Sequence, residues 1–154
     1  KMGAELQKVG NIPEDAASLL TLVSGEIGDN SFAHNFGNWP DVPGVFYGYN
    51  IDKRMIVLAD RGRGVKTTLQ KIRPSLATDI DALMVAFTEI VSGRNPEKRG
   101  NGLKVVRSVA ESNNIGLLFR SGIGLVTIPL QPGSTMRITM ADGNVQGTYA
   151  VIEF

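Results

Sequence analysis

The chain has 154 residues, with 16 Lys and Arg against 15 Asp and Glu, a net charge of +1, one His and no Cys. That length suits one domain, and near-neutrality gives no reason to expect a nucleic-acid partner. The missing Cys excludes a disulfide framework, a thiolate metal site and a cysteine nucleophile, and a single His excludes a His-rich zinc site. No apolar run reaches the ~18 residues of a membrane span, and no signal-peptide pattern opens the chain, so no membrane insertion and a cytoplasmic location are expected.

Residues 1–12 read as an N-terminal extension too short for a domain, ahead of one domain over 13–154. Pro13, Glu14 and Asp15 mark a helix start, because proline suits the first turn and acids suit the positive end of the dipole. The helix is predicted to run to about Asn35, with Ala16, Leu19, Leu20, Val23 and Ile27 as its core stripe. Residues 37–44 are turn-rich around Trp39, Pro40 and Pro43. Two strands are predicted over 45–51 and 55–59; the second is apolar at every position and is expected to be buried on both faces. A polar loop follows from Asp60. A second helix is predicted over 79–92 around Leu83, Phe87, Ile90 and Val91, then a polar loop over 92–101 and a third helix over 103–112. Four short strands complete the chain, at about 116–119, 125–130, 136–140 and 149–154, with turns at Pro132-Gly133 and Asp142-Gly143. This order predicts an α+β protein, a two-layer α/β sandwich with helices on one face of a mixed β-sheet.

Four groups of residues suggest chemistry. Glu26, Asn30 and His34 are spaced by four and share one face of the first helix. Gly25 and Gly28 interrupt the same turn at about 1 kcal/mol each relative to alanine, which suggests that something approaches that backbone closely. A carboxylate and a carboxamide one turn apart suit a hydrated magnesium–phosphate group. Asp60-Arg61-Gly62-Arg63-Gly64 places an acceptor at the mouth of a strand, with glycines that let backbone approach a flat ring or phosphates. Arg99-Gly100-Asn101-Gly102-Leu103 opens a helix, where free N–H groups favour an anion. Gly147-Thr148 introduces the final strand. Gly64-Val65-Lys66-Thr67 imitates the end of a P-loop, but Val65 separates the glycine from the lysine, and no G-x-G-x-x-G follows a strand.

In this order the four groups resemble the motifs of the ATPase superfamily of DNA gyrase, the ninety-kilodalton heat-shock chaperone, MutL and the sensor histidine kinases, often called GHKL. The resemblance covers nearly all of 13–154 and implies the family's Bergerat-type ATP-binding sandwich. It implies that Glu26 is the general base and that Asn30 holds magnesium. It implies that Asp60 accepts the adenine amino group, backed by Thr148, and that Gly62 and Gly64 let the nucleotide lie close. Gly100 and Gly102 would stand at the end of a mobile lid drawn from about Lys66 to Asn101, with Arg99 and His34 among the cofactor-binding residues.

The short stretch between Gly64 and Arg99 is similar to the kinase branch, including anti-sigma-factor serine kinases. The expected function is therefore a Mg-ATP-binding catalytic module of a histidine-kinase-like or anti-sigma-factor-like protein kinase. Its cofactors would be ATP and Mg2+. Its partner would be a protein phosphoacceptor or regulator, and a homodimer could form through parts outside this chain. The alternatives are a nucleotide-driven conformational switch with slow hydrolysis, or a nucleotide sensor without turnover.

Overall fold

The first long helix forms where apolar residues recur every three or four positions. The computed structural model describes residues 2–10, 12–35, 44–90 and 102–154. Its elements are α1 (Met2–Gly10), α2 (Glu14–Asn35), β1 (Val45–Asn50), β2 (Met55–Asp60), α3 (Gly64–Leu69), α4 (Asp79–Thr88), α5 (Gly102–Ser112), β3 (Gly116–Ile128) and β4 (Arg137–Glu153). In α2, Ala17, Leu20, Val23 and Ile27 are buried, with Leu19 and Ala16 packed at the margin. α4 starts on a capping box: the Thr78 hydroxyl accepts from the Asp81 N–H, and the Asp81 carboxylate accepts from the Thr78 N–H. That arrangement satisfies two of the free donors at a helix start.

The sheet has four strands in the order β1-β2-β4-β3, and each neighbouring pair is antiparallel. The helices lie on one side of it. Leu20, Val23, Ile27, Leu83, Phe87, Leu103 and Val106 from the helices close over Ile56, Leu58, Leu117, Phe119, Ala150 and Ile152 from the strands. Phe87 meets Phe119 edge-on, with ring centroids 5.3 Å apart. This is the expected two-layer α+β sandwich.

Several elements differ from expectation. The described sheet is antiparallel, not mixed. β2 is central in its hydrogen bonding, yet Ile56, Leu58 and Asp60 are buried while Met55, Val57 and Ala59 are only half-buried. An unbroken apolar run here reflects one covered face and one partly open face. The four short strands expected after residue 115 are two long ones. Gly122, Gly124 and Gly143 do not end strands; they lie at a bulge where the β3–β4 register shifts. Asp142-Gly143 thus belongs to the bulged part of β4, whereas Pro132-Gly133 does turn the chain between β3 and β4. α3 occupies part of the expected loop. α4 ends at Thr88, and Ile90 is exposed; Val91, like 36–43 and 92–101, lies outside the described residues. Residues 2–10 of the N-terminal extension are helical, and Leu6 and Ile12 join the core cluster.

Leu6 is fully buried against α2 although it precedes the expected domain start. Leu6→Ala should lower the unfolding free energy by about 2–5 kcal/mol, the usual loss for a buried leucine, in one urea transition with an unchanged slope. A loss near zero, or a separate early transition, would show that α1 is not part of the cooperative core.

Candidate functional site

Asp60 ends β2 with its side chain on the helix-covered face, and it is only 6% exposed. Its Oδ1 accepts from the Gly62 N–H at 2.7 Å and from the Thr148 N–H at 3.3 Å. Its Oδ2 accepts from the Thr148 hydroxyl. A carboxylate offers about four lone-pair positions, so these three donors leave one, on Oδ2, among the described residues. Thr148 is brought there by register, since it stands directly opposite Asp60 in the β2–β4 ladder. Both residues named from the sequence are therefore together, and the loop glycine Gly62 contributes a donor.

Gly147, next to Thr148, has φ +83°. A Cβ there would overlap the Asp60 carbonyl oxygen and come within 2.7 Å of Asp60 Oδ1 and the Gly62 nitrogen. Glycine is required on both counts: the backbone is left-handed and the neighbour is immovable main chain. Gly64 also has a positive φ, +75°, and its Cα side faces the Ser121 hydroxyl. Ser121 accepts from the Val65 N–H at 2.9 Å and donates to the Gly147 carbonyl at 3.2 Å. A cavity of about 320 Å³ adjoins this cluster, with Arg63, Gly64, Lys66, Asp79, Ser121 and Gly147 in its wall.

The other expected group assembles on the helices. Gly102 opens α5 so close to α2 that a Cβ on it would lie 2.7 Å from Glu26 Oε2 and 3.4 Å from Asn30 Nδ2. Glu26, Asn30 and the start of α5 therefore share one place, and both side chains are half-buried. Helix N-terminal N–H groups carry partial positive charge, which favours an anion there. His34 lies in the last turn of α2, but its side chain, like Arg99 and Gly100, lies outside the described residues.

Two expectations need correction. Gly25 has open space beside it, and a Cβ on Gly28 would make an ordinary 3.7 Å contact with Leu58. Gly28 therefore faces β2 and leaves no room for anything else, while no described residue approaches Gly25. The lid expected over Lys66 to Asn101 cannot extend over that whole stretch, because α4 lies within it and buries Leu83 and Phe87 in the core. Sequence reasoning missed Ser121 and Asp79. Asp79 Oδ2 accepts from the Ile123 N–H, and its carboxylate fills the space where a Gly122 Cβ would stand. The signal for Ser121 was a polar residue continuing the buried alternation Leu117, Phe119.

Among the described residues, no group of three or more His, Asp or Glu could by itself hold a metal ion, and no helix is long and apolar enough to cross a membrane. No protein-family model and no curated protein matches this chain. Among solved structures, it is similar to a topoisomerase IV ATP-binding domain of Francisella tularensis in complex with a small-molecule inhibitor, with TM-score 0.47 and 17% identity. That match covers 85% of this chain, which spans only about a third (35%) of the other.

Gly133 and Gly147 separate two costs, since both have positive φ but only Gly147 lacks room for a Cβ. Gly133→Ala should cost about 1–2 kcal/mol, the strain of a left-handed alanine. Gly147→Ala should cost at least ~2 kcal/mol more by urea unfolding, because the Asp60–Gly62 backbone must shift. Equal losses would show that Gly147 does not clamp Asp60.

Proposed function

We propose that this chain binds Mg-ATP and serves as the catalytic module of a protein kinase of the histidine-kinase or anti-sigma-factor kind. The observation that carries the reading is the buried Asp60 carboxylate, held by three donors with one acceptor position left on Oδ2. An acceptor fixed there suits the 6-amino group of adenine, whereas guanine presents a carbonyl oxygen at the same ring position, which a carboxylate oxygen repels. Glu26 and Asn30, beside the α5 N-terminus, form the phosphate end of the same reading.

The donor set fits magnesium in a limited way. A hard cation takes oxygen ligands and keeps several waters. The Asn30 carboxamide oxygen would be its protein ligand, with phosphate and water oxygens completing the shell. Bound there, the ion would neutralise phosphate charge. In this reading Glu26 takes the proton of the attacking water or hydroxyl, and the α5 N–H groups face the terminal phosphate, so the protein's work is positioning and electrostatics. The short stretch between Gly64 and Arg99, similar to that of the kinase branch, supports phosphate transfer to a protein. A slow ATPase switch would show phosphate release without transfer.

Calorimetric titration with ATP and GTP tests the site. Asp60→Asn should weaken ATP binding by about 1.5–3 kcal/mol and narrow the preference over GTP, since a charge-assisted acceptor is lost. Unchanged ATP affinity in the folded variant would refute the assignment. Glu26→Ala should leave ATP affinity unchanged or slightly tighter, because its charge opposes the incoming phosphates. Hydrolysis or transfer should fall by about 10²–10⁴, the usual share of a general base. A variant that turns over like its parent would remove Glu26 from that role.

A further inference from the structure

We infer that Ser121 is a positioning residue for base recognition, acting on Asp60 through the two segments that supply its donors. The inference rests on the nucleotide reading above. Asp60 can discriminate between bases only if its remaining acceptor position has a fixed direction. That direction is set by Gly62, in the loop after β2, and by Thr148, on β4. These segments are far apart in sequence, and Ser121 stands between them on β3. Its hydroxyl accepts from Val65, three residues past Gly62, and donates to the carbonyl of Gly147, one residue before Thr148.

The placement of Ser121 is not explained by packing. It continues the inward alternation of Leu117 and Phe119 and is 1% exposed. An apolar side chain would serve a core position there without the cost of removing a hydroxyl from water. The hydroxyl is instead bonded on both sides, and both partners belong to the Asp60 surround. Ser121 is also the last residue of the regular ladder before the bulge, where the register breaks at Gly122. Bulges of this kind re-aim side chains and backbone next to functional sites. Here the irregular turn of β4 presents the Gly147 carbonyl to Ser121 and lays the Gly147 Cα against Asp60.

Without the hydroxyl, the Val65 N–H and the Gly147 carbonyl lose a common partner. The 62–65 loop and the Gly147-Thr148 segment are then tied only through Asp60 itself and the β2–β4 ladder, and the carboxylate between them is held less firmly in direction. Glu26 and Asn30 stand on α2 and make no bond to Ser121, so the phosphate end should be unaffected.

The test is calorimetric binding of ATP, ADP, adenosine and GTP, with and without magnesium, to the parent, Ser121→Ala and Ser121→Cys. Cysteine keeps a side chain of similar shape but a weaker donor and acceptor, so it also serves if the alanine variant does not fold. Ser121→Ala should weaken ATP, ADP and adenosine alike by about tenfold, as expected for unmaking buried hydrogen bonds. The ATP-to-GTP preference should fall by a similar factor, and the enhancement by magnesium should stay at the parent value. Ser121→Cys should fall between the two. A variant that melts earlier yet keeps the parent affinities and base preference would overturn the proposal and leave Ser121 a purely structural residue. Loss of the magnesium enhancement instead of the base preference would overturn it too. A parent that binds no adenine nucleotide would overturn the nucleotide reading itself, and this inference with it. Parent-like binding by the variants, with a parent that prefers ATP, would overturn this inference alone.

Discussion

A carboxylate taken out of water must be met by donors, and the Asp60 side chain sets that demand for the whole site. Leaving such a group buried and unpaired costs several kcal/mol. The fold meets the demand with two backbone N–H groups and one hydroxyl, drawn from two segments. Each donor carries a further condition. Gly62 must lie close enough to donate, Gly147 must have no side chain, and β4 must pair with β2 in the one register that sets Thr148 opposite Asp60. A slip of one residue would turn Thr148 to the other face of the sheet and leave the carboxylate without its hydroxyl.

The candidate site therefore rests on two supports of different kinds. Its Asp60 end belongs to the sheet, where register and bulge set positions. Its other end belongs to α2 and the start of α5, where the missing side chain of Gly102 lets the helices approach Glu26 and Asn30. Gly28 lies over Leu58, two residues before Asp60 on β2, at a distance where a Cβ would make only an ordinary contact, so α2 would rest on β2 there with alanine as well. The glycine that looked like a ligand contact is a helix–strand contact.

What could be read from the residues follows the range of the forces involved. The long helix was legible because its apolar spacing is local, and the hairpin of β1 and β2 because its strands are adjacent. Asp60 and Thr148 could be joined only through the family resemblance, since spacing cannot relate partners separated by most of the chain. α3 was not legible: it is six residues long, begins at a glycine with positive φ, and has no side-chain cap at Arg63. Tertiary contact through Leu69 and Val65 holds it, not propensity. The two long strands looked like four because glycine normally interrupts a ladder, and here Gly122 and Gly124 are needed to admit Asp79 and Leu83. Ser121 escaped notice because a lone serine in a strand has no distinctive pattern until its partners are known.

The strand order β1-β2-β4-β3 also dictates a sequence of events during synthesis. The first two strands can meet as soon as both are made, but β2's other edge is reserved for β4, the latest in chain order of these four described strands. Until β4 leaves the ribosome, that edge presents unpaired N–H and C=O groups, and the inner faces of α2 and α4 have only part of the sheet to cover. Pairing Met55 with Glu153 closes a loop of nearly a hundred residues, the kind of distant contact that slows folding and prolongs exposure to aggregation. The strand that delivers Thr148 to Asp60 is thus also the one that joins β3 to β2, so the nascent chain acquires the Asp60 cluster and the union of the described strands in a single step.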